Sequence, residues 1–457
     1  MIPNARIWHP DGWKDGIRFD VGTHGDIARE SHGGTTQQRV LPGIANLHSH
    51  AFQRAMAGMA ERQTDPRDSF WTWRDTMYRF AARFTPESLY AVAAQLYAEM
   101  LAAGYTTVCE FHYLHHAPDG RPYADPAAMS QALVQAAHDT GIRLTLLPVL
   151  YMTGGFDGRP LGERQKRFGH DVESYLRLLD GLRAERSGDM VRIGCALHSL
   201  RAVPEAAMRE VLAALPADSR VHIHIAEQVG EVQDCEALRG ARPVEWLLAN
   251  APVDETWTLV HATHLTPAEV QGIAASGATV AICPTTEANL GDGLFPLRDY
   301  LAAGGHWGIG SDSHVSVSPV EELRWLEYGQ RLAARRRNIA VSGDETSTGA
   351  LLYSQALAGG LRACGQPSAA ADDFVVLDAD AAALACATAD DLHDRVVFGG
   401  NIKGETRVLT TATVLEVSRG HFETAFALSF VLLALTYLVT VTLALLQRNV
   451  QRQPAPR

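Results

Sequence analysis

Histidine and aspartate residues stand at the ends of several short apolar runs of this sequence. His48 and His50 close the first run, and His224, His261 and Asp312 close three later ones. Three imidazoles and a carboxylate form a ligand set that suits Zn²⁺ or, less specifically, Fe²⁺ or Mn²⁺. A lone histidine at such a position is usually an ordinary core or surface residue, so the prediction depends on all of these positions converging.

One further carboxylate follows a candidate ligand at short distance. Glu227 lies three residues after His224, where it can approach a metal-bound water molecule without being a ligand itself. Because zinc lowers the pKa of bound water to about 7, such a carboxylate can accept its proton and pass it on. We therefore predict a metal-dependent hydrolase; the alternative for Glu227 is an ordinary polar loop residue.

These residues converge only if their apolar runs are parallel strands of one sheet. From Val40 onward such runs alternate with helical segments, and the predicted strands are Val40–Leu47, Thr106–Phe111, Arg143–Leu150, Val191–Leu197, Arg220–Ile225, Trp257–Val260, Thr279–Ile282 and His306–Ile309. Eight strands, each followed by a helix, predict an α/β fold, the (β/α)₈ or TIM barrel, whose active site lies at the C-terminal rim. A doubly wound open sheet is the competing topology, although no glycine-rich phosphate loop follows the first strand.

Local signals place two of the helices. Pro86–Ala103 has Thr85 as a candidate N-cap, proline at its first position and Gly104 after its end. Pro319–Arg337 opens with proline and two glutamates and closes with three arginines, which suits the helix dipole. Both segments are predicted as helices.

The two ends of the chain predict a second, smaller domain. Residues 1–40 contain short apolar runs broken by glycine and aspartate, which are typical of antiparallel strands. Asp373–Asp378 and Arg395–Phe398 resemble strands that return to this unit. We predict a small β-sandwich domain from residues 1–40 and 367–400, and a barrel domain over residues 41–366.

Longer strings of the sequence resemble a known family. Leu41-Pro42-Gly43 before His48-Ser49-His50, then His224-x-x-Glu227, His261 and Ser311-Asp312-Ser313, are similar to the amidohydrolase superfamily. The strings His48–Gly58, Phe70–Arg74 and Cys283–Gly293 resemble its formimidoylglutamate deiminase branch. The resemblance covers about residues 1–400.

The resemblance implies hydrolysis of N-formimidoyl-L-glutamate to N-formyl-L-glutamate and ammonia, a step of histidine degradation. It implies one metal ion per chain, with zinc favoured over Fe²⁺ or Mn²⁺. The implied metal ligands are His48, His50, His224 and Asp312. The implied catalytic residues are Glu227, His261 and Asp312. The implied substrate-binding residues are Gln53, Arg74, Tyr113, His198 and Arg201.

The substrate of that reaction carries two carboxylates and one C=N carbon. Arg74 and Arg201 offer planar guanidinium groups that suit carboxylates. Tyr113 and His198 stand at the ends of the second and fourth predicted strands, so they point to the same rim. The main rival is a purine-type deaminase, which shares the ligand set but needs no pair of cations for a neutral base.

Composition limits the partners of the chain. Its 40 Lys+Arg against 52 Asp+Glu leave a net charge of −12, which argues against nucleic-acid binding. Its six cysteines form no C-x-x-C pair and follow a polar N-terminus, as expected of reduced thiols in a cytoplasmic protein. The resemblance also implies a homodimer.

The end of the chain conflicts with this interpretation. Residues 401–457 resemble the C-terminal end of a tungstate- or molybdate-type ABC transporter permease, and residues 425–446 carry no charge. Twenty or so apolar residues suffice to span a bilayer, so this run is a candidate transmembrane helix that could attach the chain to a membrane. We expect this tail to take no part in catalysis. The alternative function class is an inactive, membrane-tethered chimeric protein.

Overall fold

A computed structural model describes residues 2–9, 12–21, 27–31, 38–63, 66, 69–185, 189–343, 345–366, 373–377, 381–384 and 386–399. Contacts between Cα atoms divide the chain into two units. The larger unit is Leu41–Val375, and the smaller one consists of Met1–Val40 and Val376–Arg457.

The larger unit is built on parallel strands. The strands are β5 (Ile44–Ser49), β6 (Tyr105–His112), β7 (Arg143–Leu150), β8 (Val191–Ile193), β9 (Cys195–Ser199), β10 (Val221–Ile225), β11 (Trp257–His261), β12 (Thr279–Ile282) and β13 (His306–Ile309). Eight of them follow one another in the order β5-β6-β7-β9-β10-β11-β12-β13, and β8 pairs with β7. A parallel bridge between Ser49 and Asp312 joins the first strand to the segment after the last. The sheet is therefore a nearly closed barrel, and the open doubly wound sheet is excluded.

Two predicted strands are divided by glycine. The run Val40–Leu47 breaks at Gly43, where a Cβ atom would lie 2.2 Å from the side chain of Thr106. The run Val191–Leu197 breaks at Gly194, where a Cβ atom would lie 3.0 Å from the carbonyl oxygen of Arg220. Close approach to the neighbouring strand thus requires glycine at both breaks. The other six predicted strands agree with the structure within one residue.

Helices follow the barrel strands. They are α1 (Phe70–Ala81), α2 (Pro86–Ala103), α3 (Ala128–Thr140), α4 (Val172–Glu185), α5 (Glu205–Ala214), α6 (Val229–Arg239), α7 (Pro243–Asn250), α8 (Pro267–Ser276), α9 (Pro284–Leu290), α10 (Leu297–Ala302), α11 (Pro319–Ala334) and α12 (Thr348–Cys364). Short 3₁₀ helices cover Ala51–Met56, Glu163–Phe168 and Ala382–Leu384. The barrel strands are almost entirely buried, as expected of a parallel sheet covered by helices.

The two helices predicted from local signals form. Helix α2 has the predicted bounds: Thr85 forms a capping box with Ser88, and Gly104 ends the helix in the left-handed conformation. Helix α11 ends at Ala334 rather than at Arg337. The backbone of Arg335 is left-handed, and its N–H bonds to the carbonyl oxygen of Arg331, which terminates the helix.

The first strands of the chain belong to a five-stranded sheet in the order β14-β4-β1-β2-β3. Its strands are β1 (Ile2–His9), β2 (Gly12–Val21), β3 (Ile27–Ser31), β4 (Gln38–Pro42) and β14 (Phe374–Leu377). The pairs β1–β2 and β2–β3 are antiparallel as predicted, whereas β1 and β4 are parallel.

The predicted strand Arg395–Phe398 is wrong, because these residues belong to helix α13 (Leu392–Phe398). Leu392 belongs to a buried cluster with Leu384 and Ala387, and Val396, one helical turn further on, packs against this cluster. An ion pair between Asp391 and Arg395 spans the same spacing. Helical packing therefore outweighs the strand propensity of the two valines.

The candidate transmembrane helix 425–446 lies outside the described residues. Within the part of the chain that the structure does describe, no helix is both long enough and apolar enough to cross a bilayer.

Candidate active site

Strand β5 brings two histidines to the rim of the barrel. His48 and His50 are one residue apart, so their side chains leave the strand on the same side. Their Nε2 atoms lie 3.1 Å apart. Asn46 of the same strand donates to Ser311 at 2.6 Å and accepts from the Ser311 backbone N–H at 3.1 Å. These bonds hold the segment that carries Asp312 beside the two imidazoles.

Hydrogen bonds to backbone carbonyls determine which ring nitrogens are free. Nδ1–H of His50 donates to the carbonyl oxygen of Phe111 at 2.8 Å, and Nδ1–H of His224 donates to that of His198 at 2.9 Å. The Nε2 atoms of these neutral rings therefore carry lone pairs. The Nε2 atom of His48 lies 3.0 Å from the Nε2 atom of His224.

Asp312 completes this cluster. Its Oδ1 atom lies 3.5 Å from Nε2 of His48 and 3.3 Å from Nε2 of His50. Burial, with a further contribution from neighbouring histidines, lowers the pKa of His48 well below its usual value, and burial lowers that of His50 to about 3. The Nε2 lone pairs of His50 and His224 and the carboxylate of Asp312 surround Nε2 of His48, and a divalent cation binds such a set of donor atoms. The cluster therefore fits a divalent metal ion.

Two proton-carrying groups lie beside the cluster. Nε2 of His261 is 3.8 Å from Oε1 of Glu227 and 3.9 Å from Oδ2 of Asp312. Burial alone would lower the pKa of His261, but the charge of Glu227 and hydrogen bonds to Cys283 and Glu287 raise it well above its usual value. Burial raises the pKa of Asp312 to about 7. Glu227, His261 and Asp312 therefore lie close enough to pass a proton from one to another.

The backbone that carries these groups is locally strained. Ala226, which precedes Glu227, has φ 51°, His261 has φ 67° and Asp312 has φ 44°. Left-handed backbone at residues other than glycine costs free energy and is concentrated at functional sites.

A single cavity contains ten of the eleven side chains predicted for the site. Its lining includes His50, Gln53, Arg74, Tyr113, His198, Arg201, His224, Glu227, His261 and Asp312, which counts Asp312 among both ligands and catalytic residues. The predicted residue absent from the lining is His48, which is fully buried directly behind His50 and His224. The predicted residues therefore converge.

Two of the predicted substrate-binding residues each have a polar atom without a hydrogen-bond partner. Oε1 of Gln53 and Nε of Arg74 are both buried and unpaired. The amide nitrogen of Gln53 is occupied, because it donates to the Tyr113 hydroxyl at 2.9 Å. Since unpaired buried polar groups are costly, these two atoms are available to a ligand: one accepts and the other donates a hydrogen bond.

Aromatic side chains that the sequence analysis missed form part of the cavity wall. They are Phe70, Trp71, Trp73, Tyr78, Tyr151 and Phe168. The guanidinium group of Arg74 lies over the ring of Trp71, 4.3 Å from its centroid. This stacking orients the guanidinium plane without using its N–H donors. The string Phe70–Arg74 is the part of the sequence from which this aromatic wall could have been predicted.

A glutamine joins two of the tyrosines. Nε2 of Gln165 donates to the hydroxyls of Tyr151 at 2.9 Å and Tyr78 at 3.4 Å. Its Oε1 atom accepts the backbone N–H of Gly162 at 3.0 Å, which establishes the orientation of the amide. Each tyrosine hydroxyl therefore keeps its own proton for donation. These hydroxyls and Arg201 line the same cavity.

Comparison with known proteins agrees with this geometry. The sequence model of the Amidohydrolase family matches residues 39–357. The formimidoylglutamate deiminase of Pseudomonas aeruginosa is 53% identical over 86% of this chain and 89% of its own length. The 8-oxoguanine deaminase of the same species is 29% identical over 64% of each chain.

Solved structures show the same fold. A crystal structure of an amidohydrolase from Brucella melitensis matches with a TM-score of 0.82 and 42% identity, over 92% of this chain and 99% of that one. A zinc complex of an atrazine chlorohydrolase from Arthrobacter aurescens matches with a TM-score of 0.69 and 21% identity, over 85% of this chain and 89% of that one.

Proposed function

The chain belongs to the amidohydrolase family, and we propose that it catalyses the hydrolytic deimination of N-formimidoyl-L-glutamate to N-formyl-L-glutamate and ammonia. The observation that carries this proposal is the combination of two arginines and a histidine–aspartate cluster in one cavity. The long match to a deiminase, at 53% identity, supports the same substrate.

We propose zinc as the metal. The neutral imidazoles of His48, His50 and His224 and the carboxylate of Asp312 would hold it, and a set of nitrogen and oxygen donors suits zinc, with Fe²⁺ or Mn²⁺ as alternatives. When bound, such an ion acts as a Lewis acid that lowers the pKa of water and polarises a C=N group.

Side chains of the protein itself carry out the proton transfer. Glu227 accepts the two protons of the attacking water one after the other and delivers both to the imino nitrogen. The C–N bond to this nitrogen then breaks, ammonia leaves, and the carbon keeps the oxygen as the formyl C=O. His261, 3.8 Å from Glu227, donates a hydrogen bond to the nitrogen at which charge develops. Asp312 lies 3.9 Å from the same imidazole, so it is the second carboxylate within reach of the transferred proton.

The cavity supplies donors for two carboxylates. Arg74 and Arg201 bind one carboxylate each, and the tyrosine hydroxyls beside Arg201 add neutral donors. Gln53 accepts a hydrogen bond from the formimidoyl N–H group through its unpaired Oε1 atom. Tyr113 and His198 complete the wall around the reacting carbon.

The test is an ammonia-release assay with purified protein and simultaneous metal analysis. N-formimidoyl-L-glutamate should release one equivalent of ammonia per turnover, whereas guanine and adenosine derivatives should release none. Release from a purine alone would replace the proposal by the purine-type deaminase. A metal-loaded protein that acts on neither substrate would favour the inactive, tethered protein.

Three finer expectations belong to the proposal. The five-stranded sheet is proposed as part of a small β-sandwich. The active species is proposed as a cytoplasmic homodimer, which light scattering of the eluting protein would test. Membrane attachment through residues 425–446 is proposed only from their uncharged composition, and detergent partitioning of the full chain tests it.

A further inference from the structure

Helix α9 and the turn after it, Pro284–Asp292, contact all three regions to which proton transfer is assigned above. We call residues 284–292 the α9 segment. It follows strand β12 and begins with Pro284 at the first helical position. None of the metal ligands or substrate-binding residues proposed above belongs to it.

Glu287 of this segment holds His261. Its Oε1 atom accepts a hydrogen bond from Nδ1 of His261 at 3.2 Å and from the backbone N–H of Cys283 at 2.9 Å. The Glu287 residue is 4% exposed, so water competes little for these bonds. Because Nδ1 is occupied, the opposite ring nitrogen, Nε2, is directed at Glu227 and Asp312.

Thr286 holds the residues on both sides of Asp312. Its hydroxyl lies 3.3 Å from the carbonyl oxygen of Ser311, to which it donates, and 3.0 Å from the hydroxyl of Ser313. The backbone N–H of Ser313 donates to the same threonine oxygen at 3.2 Å. The left-handed backbone of Asp312 is thus held from both neighbours.

Asp292 holds the residue after Glu227. The side-chain amide of Gln228 donates to the Asp292 carboxylate. The backbone N–H of Asp292 in turn donates to the carbonyl oxygen of Glu287 at 2.9 Å. The two acidic residues of the α9 segment, Glu287 and Asp292, are therefore connected by a backbone hydrogen bond.

We propose that the α9 segment positions the three proton-transferring groups, and that Glu287 is the positioning residue of His261. Ala226, His261 and Asp312 have positive φ angles, and such backbone persists only where its surroundings hold it. Glu287 also selects the ring orientation, as carboxylates do when they accept from the far nitrogen of a functional histidine. The identity of the reaction rests on the proposed function, whereas the contacts do not depend on the substrate.

Two variants separate the hydrogen bond of Glu287 from its charge. In Glu287→Gln the amide oxygen can still accept from His261 and from Cys283, whereas Glu287→Ala leaves both donors unpaired. Glu327→Gln is the matched control, because Glu327 on helix α11 is fully buried, accepts backbone N–H groups of the following loop at 2.8 and 2.9 Å, and does not line the cavity. Metal content is measured for every variant.

We expect kcat of Glu287→Ala to fall roughly 10- to 100-fold, the range typical of residues that orient functional histidines. The KM should stay within about threefold and the metal content should be unchanged, because Glu287 reaches neither substrate nor ligand set. Glu287→Gln should lose less activity than Glu287→Ala, and Glu327→Gln should keep its kcat. A kcat of Glu287→Ala equal to that of the control would overturn the proposal, as would a loss confined to KM.

A readout without substrate separates this inference from the proposed function. In ¹⁵N-histidine-labelled protein, the Nδ1–H proton of His261 should give a downfield resonance that Glu287→Ala removes and Glu287→Gln retains at a shifted position. An unchanged spectrum in Glu287→Ala would contradict the positioning role. If the unmodified protein releases no ammonia from N-formimidoyl-L-glutamate, the function fails while this spectrum still tests Glu287.

Discussion

Ser49 and Asp312 pair with each other across the seam between the first and last barrel strands. The N–H of Asp312 donates to the carbonyl oxygen of His48 at 2.9 Å, and the N–H of His50 donates to that of Asp312 at 3.2 Å. The same backbone pairing that joins the ends of the barrel therefore brings two imidazoles and a carboxylate together. The site and the closure of the fold are one structural feature.

Removal of the metal should therefore affect both activity and stability. We expect a chelator to abolish ammonia release and to lower Tm, because the buried ligand set loses the cation that binds only the folded state. Zinc should restore both. Full activity of protein shown to be metal-free by elemental analysis would contradict the metal site.

Glu227→Gln should keep the metal and lower kcat by the ~10²- to 10⁴-fold typical of a lost general acid–base. The amide has nearly the shape of the carboxylate but cannot take up a proton. Glu210→Gln, an exposed position on helix α5, serves as control. Turnover of Glu227→Gln close to that of the control, with metal bound, would exclude Glu227 as the proton carrier.

The two arginines of the cavity should contribute to binding the two carboxylates of the substrate. Arg74→Met and Arg201→Met should each lower kcat/KM for N-formimidoyl-L-glutamate roughly 10- to 150-fold, the equivalent of ~1.5–3 kcal/mol for a hydrogen bond to a charged group. Arg209→Met, which removes a surface ion pair with Glu205, should change kcat/KM little. Equal kinetics for all three variants would show that the substrate is not held by these cations.

The buried side chain of His170 should make the free energy of unfolding depend on pH. Burial lowers the pKa of His170 from its usual value of 6.5 to about 4, whereas the imidazole of the unfolded chain titrates near 6.5. The unfolded state therefore binds more protons between these values. The stabilising contribution is complete above pH 6.5, falls by at most ~1.4 kcal/mol per pH unit below it, and is lost near pH 4.

Urea unfolding at pH 7.5 and pH 5 tests this contribution. The loss of stability between the two values should be smaller in His170→Gln than in the unmodified protein. His138→Gln, at an exposed position on helix α3, should not differ from the unmodified protein in this respect. The opposite ranking of the two variants would refute the assignment.

A chain that ends at Gly399 should keep its kcat within about twofold. Every residue of the proposed site lies between His48 and Asp312, so residues 401–457 have no assigned part in the reaction. Soluble, active truncated protein beside a full chain that partitions into detergent would fit an added membrane-binding tail. Loss of activity by a truncated protein whose circular dichroism spectrum is unchanged would show that the tail acts in catalysis.

Local signals account for what the sequence by itself determined. Short apolar runs that alternate with helical segments predicted the barrel, and proline and glycine marked element ends. Polar residues at the ends of the apolar runs placed His48, His50, His224, His261 and Asp312 on its rim. These signals operate within a few residues of one another. They failed at Arg395–Phe398, where packing against the cluster of Leu384, Ala387 and Leu392 favours a helix.

The tertiary structure alone decided how those residues are held. The ring orientation of His50 depends on a carbonyl 61 positions away, and that of His261 depends on Glu287, 26 positions away. The wall made by Trp71, Tyr78 and Tyr151 combines helix α1 with the residue that follows strand β7. Such contacts depend on which strands are neighbours and on where each loop crosses the rim. No local pattern encodes them, because hydrogen-bond partners are selected by distance in space rather than by distance along the chain.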